Sequence, residues 1–329
     1  MHAMVLSAIG SPLVRRDLPD AAPAPDEVRV RIEACGVCRT DLHVVDGDLP
    51  RVIAPTIPGH EIVGIVEKTG ADVANLQAGK RVGVPWLGST CGTCEYCRRD
   101  RENLCDAPTF TGYTRPGGFA THVNARADYC IPLPDDADPV ATAPLLCAGL
   151  IGWRCLVRAG DAKRIGLYGF GAAAHIVAQV ARWQGREVHA FTRTGDARGQ
   201  AFARAVGAAW AGASSEPGPV PLDAAIIFAP VGALVPSALR AVKKGGRVVC
   251  GGIHMTDIPA FPYRLLWEER ELVSVANLTR ADARAFFEIV PKAGIRTSTT
   301  VYRLADANRA LSDLRAGAFD GAAVLVPDA

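Results

Sequence analysis

Four cysteines lie close together in one charged loop. Residues 91–105 read CGTCEYCRRDRENLC, which places Cys91, Cys94, Cys97 and Cys105 at a CxxCxxCx7C spacing. Thiolates at such a spacing can occupy all four positions of a tetrahedral zinc ion. A site filled by protein ligands leaves no position for a substrate. The motif therefore predicts a structural zinc rather than a reaction centre.

A second group of possible metal ligands is dispersed along the chain. Cys38 lies in CGVCRTDLHVVDG, His60 in PGHE and Cys147 in PLLCAG. Two thiolates and one imidazole would leave the fourth position of a zinc ion open to water or substrate. Spacing alone does not establish this triad, because a buried cysteine or a core histidine is the ordinary interpretation at each position. Cys35 and Cys38 also form a CxxC pair, but no βαβ pattern around them favours a redox site.

The first 90 residues indicate a β-rich domain around the first two of these dispersed residues. Residues 27–33 (EVRVRIE) and 61–67 (EIVGIVE) alternate with the period of two that is typical of half-buried strands. Glycine and proline recur between them and divide the region into short strands and turns. We expect this domain to span residues 1–150, with the cysteine loop at 91–105 as a lobe.

From about residue 151 the pattern changes to alternating strands and helices. A short apolar strand, a glycine-rich turn, a helix and a second strand are predicted at 164–168, 169–174, 172–184 and 187–192. The turn reads GFGAAA, with Gly169, Gly171 and Ala174 at the GxGxxA spacing. In this context the motif binds a dinucleotide, with its pyrophosphate at the helix N-terminus. Further strands are predicted at 224–228, 246–250 and 272–275. Together they predict a doubly wound parallel sheet, the Rossmann fold.

The residues at the end of the strand predicted at 187–192 bear on whether the domain binds NAD or NADP. NAD-preferring domains usually carry an acidic residue here for the ribose hydroxyls, whereas an arginine can accept the 2′-phosphate of NADP. This chain has Thr192, Arg193 and Thr194 at that place. The sequence therefore predicts a preference for NADP(H), with Arg193 paired to the phosphate. Asp196 remains an alternative acidic residue for NAD(H).

These motifs together resemble the zinc-dependent alcohol dehydrogenases of the medium-chain dehydrogenase/reductase superfamily. The likeness rests on CxTD from Cys38, GHE at 59–61, the four-cysteine loop and the glycine-rich turn, and it extends over nearly the whole chain. Bacterial alcohol dehydrogenases and the cinnamyl-alcohol-dehydrogenase-like branch are the most similar in pattern. The resemblance implies an α/β protein with a GroES-like catalytic domain, a Rossmann coenzyme domain at 151–280, and a return to the catalytic domain at 281–329.

The same resemblance implies two zinc ions per subunit. Cys38, His60 and Cys147 match the ligands of a catalytic zinc, and the four cysteines of the loop match those of a structural zinc. A zinc ion with an open position makes a bound hydroxyl much more acidic, which prepares an alcohol to release a hydride. Two thiolates would offset the charge of the metal.

Other residues around the catalytic zinc follow from the resemblance as well. Thr40 and His43 match a proton relay that runs from a hydroxyl beside the alcohol, through the cofactor ribose, to an imidazole. Asp41 matches a carboxylate that accepts a hydrogen bond from the zinc-bound His60, and Glu61 is expected behind the ligands too. The ordinary alternatives are a capping hydroxyl, a solvated imidazole and surface salt bridges.

Two further positions bear on the substrate and the cofactor. Trp86, in VPWLG, matches a residue that narrows the alcohol pocket in some relatives and would favour slim primary alcohols; core packing is the alternative. Better-known relatives use a C-terminal arginine against the cofactor pyrophosphate, but this chain has Ala322 there. Arg280 is the candidate replacement, and a solvated arginine at a helix start is the alternative.

The function implied is the reversible oxidation of mostly primary alcohols to aldehydes or ketones by hydride transfer to NAD(P). A polyol dehydrogenase or another specialised member of the superfamily is the nearest alternative. Zinc-free quinone reductases should lack the catalytic ligands, which are present here. A noncatalytic nucleotide-binding relative is expected to have lost a ligand or relay residue, yet all of them remain.

Composition limits the remaining possibilities. The 329 residues are 49% hydrophobic and 21% charged, with a net charge of +2 and no basic tract for nucleic acid. The longest uncharged stretches, 139–153 and 224–239, are shorter than the roughly 20 residues of a membrane-spanning helix. No signal peptide is apparent, so we expect a cytoplasmic enzyme whose cysteines form no disulfides. Six of its ten cysteines are expected to bind metal, and the other four, Cys35, Cys130, Cys155 and Cys250, are expected to be buried small hydrophobic residues. Its expected partners are a small alcohol or aldehyde and further copies of itself, as a homodimer or homotetramer.

Overall fold

The structure is a computed structural model that describes residues 1–50 and 52–327. The chain forms two compact units. The first contains Met1–Cys147, Asn277–Arg284 and the chain from Thr297 onward, and the second contains Ala148–Ala276 and Ala285–Arg296. The predicted domain limits at 150/151 and 280/281 stay predictions.

Among the described residues up to Thr142, the first unit contains nine strands and two α-helices. These are β1 (His2–Val5), β2 (Val14–Asp17), β3 (Glu27–Val37), α1 (Arg39–Asp46), β4 (Glu61–Thr69), β5 (Arg81–Val84), β6 (Leu87–Ser89), β7 (Thr109–Phe110), β8 (His122–Arg126), β9 (Ile131–Pro132) and α2 (Pro139–Thr142). The two strands predicted from alternating residues lie within β3 and β4. Their inward side chains are fully buried, including Val28, Val30 and Ile62 at 0% exposure.

Alternating strands and helices follow. They are α3 (Ala148–Arg158), β10 (Arg164–Tyr168), α4 (Ala172–Trp183), β11 (Glu187–Thr192), α5 (Ala197–Val206), β12 (Trp210–Ala213), β13 (Leu222–Ile227), α6 (Leu234–Ala241), β14 (Val242–Cys250), β15 (Glu271–Ser274), α7 (Arg280–Ala293), β16 (Thr299–Arg303), α8 (Ala307–Ala316) and β17 (Ala322–Val326).

A seven-stranded sheet organises the first unit. Its order is β16-β17-β3-β4-β5-β9, with β8 also paired to β3. The long strand β3 is central and pairs antiparallel with β4, so that Gly36 lies opposite Glu61. Because antiparallel strands run in opposite directions, this register brings the end of β3 next to the start of β4. Cys38 follows β3 and His60 precedes β4, which places both at one end of the sheet.

A six-stranded sheet organises the second unit. Its order is β12-β11-β10-β13-β14-β15, and every neighbouring pair is parallel. The chain order reverses between β10 and β13, which is the switch point where doubly wound sheets bind ligands at the carboxyl ends of their strands. The predicted Rossmann sheet is thus confirmed.

Candidate active site and metal centres

The start of α1 fixes the first dispersed cysteine. Cys38 is the N-cap residue, and its sulfur accepts a hydrogen bond from the Thr40 backbone N–H at 3.3 Å. In return, Asp41 Oδ2 accepts a hydrogen bond from the Cys38 backbone N–H at 2.8 Å. This is a capping box in which a thiol takes the place of the usual hydroxyl. The sequence CRTD therefore holds Cys38 at a defined helix start.

Asp41 also orients the imidazole of His60. Asp41 Oδ1 lies 3.0 Å from the Gly59 backbone nitrogen and 3.1 Å from His60 Nδ1. Both side chains are fully buried, and burial raises the pKa of Asp41. With Nδ1 held by the carboxylate, Nε2 lies 3.1 Å from Cys38 Sγ. This contact fixes the orientation of the His60 ring. The role of Asp41 beside a zinc-bound imidazole stays a prediction.

The three dispersed candidate ligands converge in the structure. Cys38 Sγ lies 4.0 Å from Cys147 Sγ, and Cys147 follows a 3₁₀ turn at Ala143–Leu146. Donor atoms of Cys38, His60, Cys147 and also Glu61 all lie within 4.8 Å of one another. Glu61 was expected behind the ligands, yet its carboxylate lies among them. Its place directly after His60 in the GHE motif is the signal that could have suggested this.

The electrostatics of this cluster suit a divalent cation. The hydrogen bond with the Cys147 thiol, helped by His60, holds the pKa of Cys38 well below its usual range. The same hydrogen bond, together with burial, raises the pKa of Cys147, and burial raises the pKa of Glu61. The cluster thus holds acidic groups that compete for protons at close range. Two thiolates and an imidazole are ligands that zinc prefers, so these residues fit a zinc ion.

The four cysteines of the loop form a second cluster. Their donor atoms also lie within 4.8 Å of one another, with Cys91 Sγ 3.5 Å from Cys105 Sγ and 3.9 Å from Cys97 Sγ. Backbone N–H groups of Thr93 and Cys94 lower the pKa of Cys91 to about 6. All four thiols are free rather than paired in disulfides. This arrangement fits a tetrahedral zinc ion with no open position.

The relay residues predicted from the motif lie on one face of α1. Thr40 is half-buried in the first turn, and His43 is 8% exposed three residues later. Side chains three residues apart on a helix are neighbours, so the two polar groups lie on the same side. His43 Nδ1 lies 2.8 Å from Asp48 Oδ2.

Trp86 lies directly beside a zinc-ligand candidate. Its ring meets the His60 ring edge-to-face, with 4.9 Å between the centroids. Trp86 also stacks on Phe110 at 5.1 Å and on Tyr113 at 5.6 Å. The indole is therefore held in an aromatic stack next to the metal cluster. Sequence reasoning could not place Phe110 or Tyr113, because Phe110 lies in the two-residue strand β7 and Tyr113 in the turn after it, and such short elements show no periodic pattern.

The glycine-rich turn has the geometry of a dinucleotide site. Gly169 has φ +88°, and a Cβ added there would meet Ala229 Cβ at 2.9 Å, so both the backbone and the space require glycine. Gly171 caps α4 without a side-chain hydrogen bond, and nothing lies within 4 Å of a Cβ added to it. Ala174 is fully buried one turn further. The first N–H groups of α4 can therefore face a pyrophosphate.

The end of β11 carries the residues predicted to choose the cofactor. Thr192 is buried and Arg193 is exposed. Asp196, the alternative acidic residue, caps α5, where its Oδ1 accepts a hydrogen bond from the Gly199 backbone N–H at 2.9 Å. One oxygen of the Asp196 carboxylate is therefore engaged in capping α5.

Arg280 contacts the cysteine lobe. Glu102 Oε1 accepts hydrogen bonds from the Arg280 backbone N–H at 3.0 Å and from Nε at 3.4 Å. The guanidinium also lies 5.0 Å from the centre of the Tyr129 ring. These contacts tie the start of α7 to the lobe. The predicted contact of Arg280 with the cofactor stays a prediction.

Comparison with known proteins assigns the chain to a family. Residues 24–135 match the alcohol dehydrogenase GroES-like domain. The chain is 49% identical over 323 residues to the probable alcohol dehydrogenase AdhA of Mycobacterium tuberculosis (strain CDC 1551 / Oshkosh), covering 96% of this chain and 93% of that protein. The chain belongs to the zinc-dependent alcohol dehydrogenases of the medium-chain dehydrogenase/reductase superfamily. The predicted superfamily, fold and alcohol dehydrogenase function are thereby confirmed.

Solved structures of related dehydrogenases have the same fold as this alcohol dehydrogenase. The cobalt- and zinc-bound thermostable alcohol dehydrogenase from Pyrobaculum aerophilum is 25% identical with a TM-score of 0.91, covering 99% of each chain. A putative zinc-binding dehydrogenase from Sinorhizobium meliloti 1021, bound to NADP, is 27% identical with a TM-score of 0.88, also covering 99% of each chain. Placement in the cinnamyl-alcohol-dehydrogenase-like branch stays a prediction.

Within residues 1–50 and 52–327, no single helix is long and apolar enough to cross a membrane, although Pro139–Leu146 and Ala148–Arg158 pass that test as a bent pair. The cytoplasmic location stays a prediction.

Proposed function

We propose that this alcohol dehydrogenase uses a zinc ion bound by Cys38, His60 and Cys147 to interconvert primary alcohols and aldehydes with NADP(H). The observation that carries the proposal is the convergence of two thiols and the Nε2 face of an oriented imidazole in one buried cluster. When bound, zinc supplies a Lewis acid that makes the alcohol hydroxyl more acidic. Glu61 lies close enough to serve as an additional oxygen donor.

Other residues of the protein have separate roles in the proposed reaction. Asp41 keeps the His60 ring in place through its Nδ1 hydrogen bond. Thr40 would hold the hydroxyl proton beside the alcohol, and His43 would pass it towards solvent. Trp86 limits the width of the pocket beside His60. Cys91, Cys94, Cys97 and Cys105 hold a second zinc ion that stabilises the lobe and takes no part in the reaction.

A substrate panel tests this proposal. Purified enzyme is supplied with NADPH or NADH and with simple aldehydes, polyol-derived ketones or quinones, and cofactor oxidation is followed by absorbance. We expect turnover of simple aldehydes that is lost after chelation and restored by added zinc. Preference for a polyol-derived ketone would instead support the specialised-dehydrogenase alternative, and activity that survives complete metal removal would contradict the proposal.

We expect Arg193→Ala to weaken the use of NADPH selectively. A charge-assisted contact with the 2′-phosphate contributes about 1.5–3 kcal/mol, so KM for NADPH should rise by roughly tenfold or more. KM for NADH should change little because that cofactor lacks the phosphate. Initial rates with both cofactors check this, and Arg240→Ala, another exposed arginine, is the control. A wild-type enzyme that clearly prefers NADH would contradict the cofactor proposal.

We expect Trp86→Ala to broaden substrate use. Removal of the indole beside His60 opens space, so kcat/KM for benzyl alcohol relative to ethanol should rise by about tenfold. Competition assays with the two alcohols measure this ratio. Trp183→Ala, which removes a tryptophan that is 48% exposed, is the control. An unchanged ratio in Trp86→Ala would assign the residue to core packing alone.

We also propose that the enzyme works as a homodimer or homotetramer. The segment 251–267 of the second unit exposes large apolar side chains, among them Ile253, Tyr263 and Trp267 at 54%, 68% and 58%. Exposed apolar groups of this size in one segment are typical of protein contacts. Light scattering of the wild type and of Trp267→Glu tests this, because a charge in the contact should shift the enzyme towards monomer.

A further inference from the structure

A carboxylate of the cysteine loop, residues 91–105, contacts the start of α7. Glu102 lies in a 3₁₀ turn, Glu102–Leu104, directly before Cys105, and its side chain is 9% exposed. Its Oε1 accepts hydrogen bonds from the Arg280 backbone N–H at 3.0 Å and from Arg280 Nε at 3.4 Å. Glu102 and Arg280 are 178 positions apart, so no short motif in the sequence indicates this contact.

The start of α7 gains from this carboxylate because its own residues cap only part of the helix. The first N–H groups of a helix have no partner within it. Thr279 and Asp282 form a local capping box, in which Thr279 Oγ1 accepts a hydrogen bond from the Asp282 N–H at 3.0 Å and Asp282 Oδ2 accepts one from the Thr279 N–H at 2.8 Å. The Arg280 N–H lies between these two in sequence and donates to Glu102 instead. A negative charge at this end of a helix also stabilises the helix dipole.

The position of Glu102 depends on the cysteines on either side of it. The Cys105 backbone N–H donates to the Glu102 carbonyl at 3.1 Å. The Cys105 sulfur accepts a hydrogen bond from the Cys91 backbone N–H at 3.2 Å, which holds the two ends of the loop together. Cys97 precedes Glu102, and its sulfur belongs to the same cluster of four donors. A metal ion bound by these sulfurs would therefore fix the segment that carries Glu102 on both sides.

A second contact connects the beginning of the loop with the same arginine. The Arg280 guanidinium lies 5.0 Å from the centre of the Tyr129 ring, within the range of a cation–π contact. The Tyr129 hydroxyl lies 2.6 Å from Thr90 Oγ1, and Thr90 directly precedes Cys91. Arg280 is thus connected to both ends of the loop, through Glu102 at one end and through Tyr129 and Thr90 at the other.

We propose that the cysteine loop is a metal-dependent cap of α7. Metal bound by the four thiols holds Glu102 on the Arg280 N–H, and loss of the metal releases it. This rests on the zinc ion proposed for the loop. α7 begins in the first unit and continues from Ala285 in the second, so the capped turn lies where the chain passes from one unit to the other. The loop thereby makes the stability of that turn respond to the zinc supply.

Hydrogen exchange followed by mass spectrometry tests the proposal in the zinc-loaded enzyme. We expect Glu102→Ala to speed exchange by about tenfold in a peptide that covers the first turn of α7, the size expected for loss of a helix cap. The zinc content should stay that of the wild type, because all the thiols remain. Glu95→Ala is the matched control: it removes a carboxylate of the same loop that is 62% exposed and pairs with Arg99 at 2.8 Å. Unchanged exchange in Glu102→Ala would overturn the proposal.

A double-mutant cycle tests the dependence on metal. We expect Cys94→Ser to speed exchange in the same peptide about as much as Glu102→Ala does. In a Cys94→Ser background, Glu102→Ala should then add no further increase, because the carboxylate has already been released. An additive increase would show two independent effects and would overturn the proposal.

Zinc removal from an intact loop gives the same comparison if Cys94→Ser folds poorly. In Cys38→Ser, where the four-cysteine loop is the remaining zinc site, zinc is withdrawn stepwise with a chelator and then returned. Exchange at the start of α7 should speed up as zinc is lost and slow down when zinc returns. A loop that binds zinc without any change in this exchange would overturn the inference alone. A loop that binds no zinc would contradict the proposed zinc site, and the inference with it.

Discussion

Cys38→Ser is expected to abolish turnover while leaving the protein folded. Loss of a thiolate removes the Lewis-acid centre, whose contribution of several kcal/mol corresponds to a fall in kcat/KM of at least about a thousandfold. Serine is itself a favoured N-cap residue, so the capping box with Asp41 at the start of α1 should survive. Steady-state kinetics, metal analysis and thermal unfolding measure the three consequences separately.

Cofactor binding provides the internal check on this variant. NADPH affinity of Cys38→Ser, measured by fluorescence titration, should stay within about twofold of wild type, because the proposed phosphate contacts lie in the other unit. Cys130→Ser is the matched control: its buried thiol lies outside both clusters and donates to the Arg126 carbonyl at 3.4 Å, a bond that a hydroxyl can also make. Retained activity in Cys38→Ser would reject the proposed triad.

Local sequence patterns were sufficient to predict the strands, the helix and the loop on which the candidate site residues lie. The alternation in residues 27–33 and 61–67 predicts parts of β3 and β4, because an antiparallel sheet with one buried face imposes a period of two. The strand, glycine turn and helix from Arg164 to Trp183 are likewise continuous in sequence, so their mutual geometry follows from short-range rules. The cysteine loop is local too, and its four donors do meet.

Local sequence patterns could not predict that Cys38, His60 and Cys147 form one cluster. Cys38 and Cys147 are 109 residues apart, and nothing in their neighbouring residues predicts that their sulfurs lie 4.0 Å apart. That contact depends on the register of β3 with β4 and on the 3₁₀ turn before Cys147. Resemblance to a family supplied the pairing. The physical causes are the antiparallel register of β3 with β4, which places Cys38 near His60, and the 3₁₀ turn that ends at Cys147.

Two details of the site needed side-chain positions. Glu61 lies among the metal donors because Gly36 opposite leaves room for its carboxylate, which a Cβ at Gly36 would overlap. The Asp48 contact depends on a helix that ends in a left-handed glycine and folds the chain back. Neither the strand register nor this return of the chain appears in a spacing motif.

The four-cysteine lobe should respond to mutation in the opposite way from the catalytic cluster. Cys94→Ser removes one of four thiols that hold a closed site, and metal binding of this kind contributes directly to folding. We expect the variant to lose one zinc ion and at least about 3 kcal/mol of stability, which lowers the apparent melting temperature by roughly 6 °C or more. Because Glu102 accepts a hydrogen bond from the Arg280 backbone N–H, loss of structure in the loop should also destabilise the start of α7.

Activity per folded molecule distinguishes a structural role of the four-cysteine loop from a role in substrate binding. KM for the alcohol should stay close to wild type in Cys94→Ser at temperatures well below unfolding, because the lobe contributes no group to the reacting cluster. Cys250→Ser, which changes a half-buried thiol outside both clusters, is the control and should keep both zinc ions. A Cys94→Ser variant with an unchanged melting temperature and a raised KM for alcohol would show that the loop serves the substrate. With the expected result, the sequence's most conspicuous metal motif supports the fold, and the reaction depends on ligands that only the fold brings together.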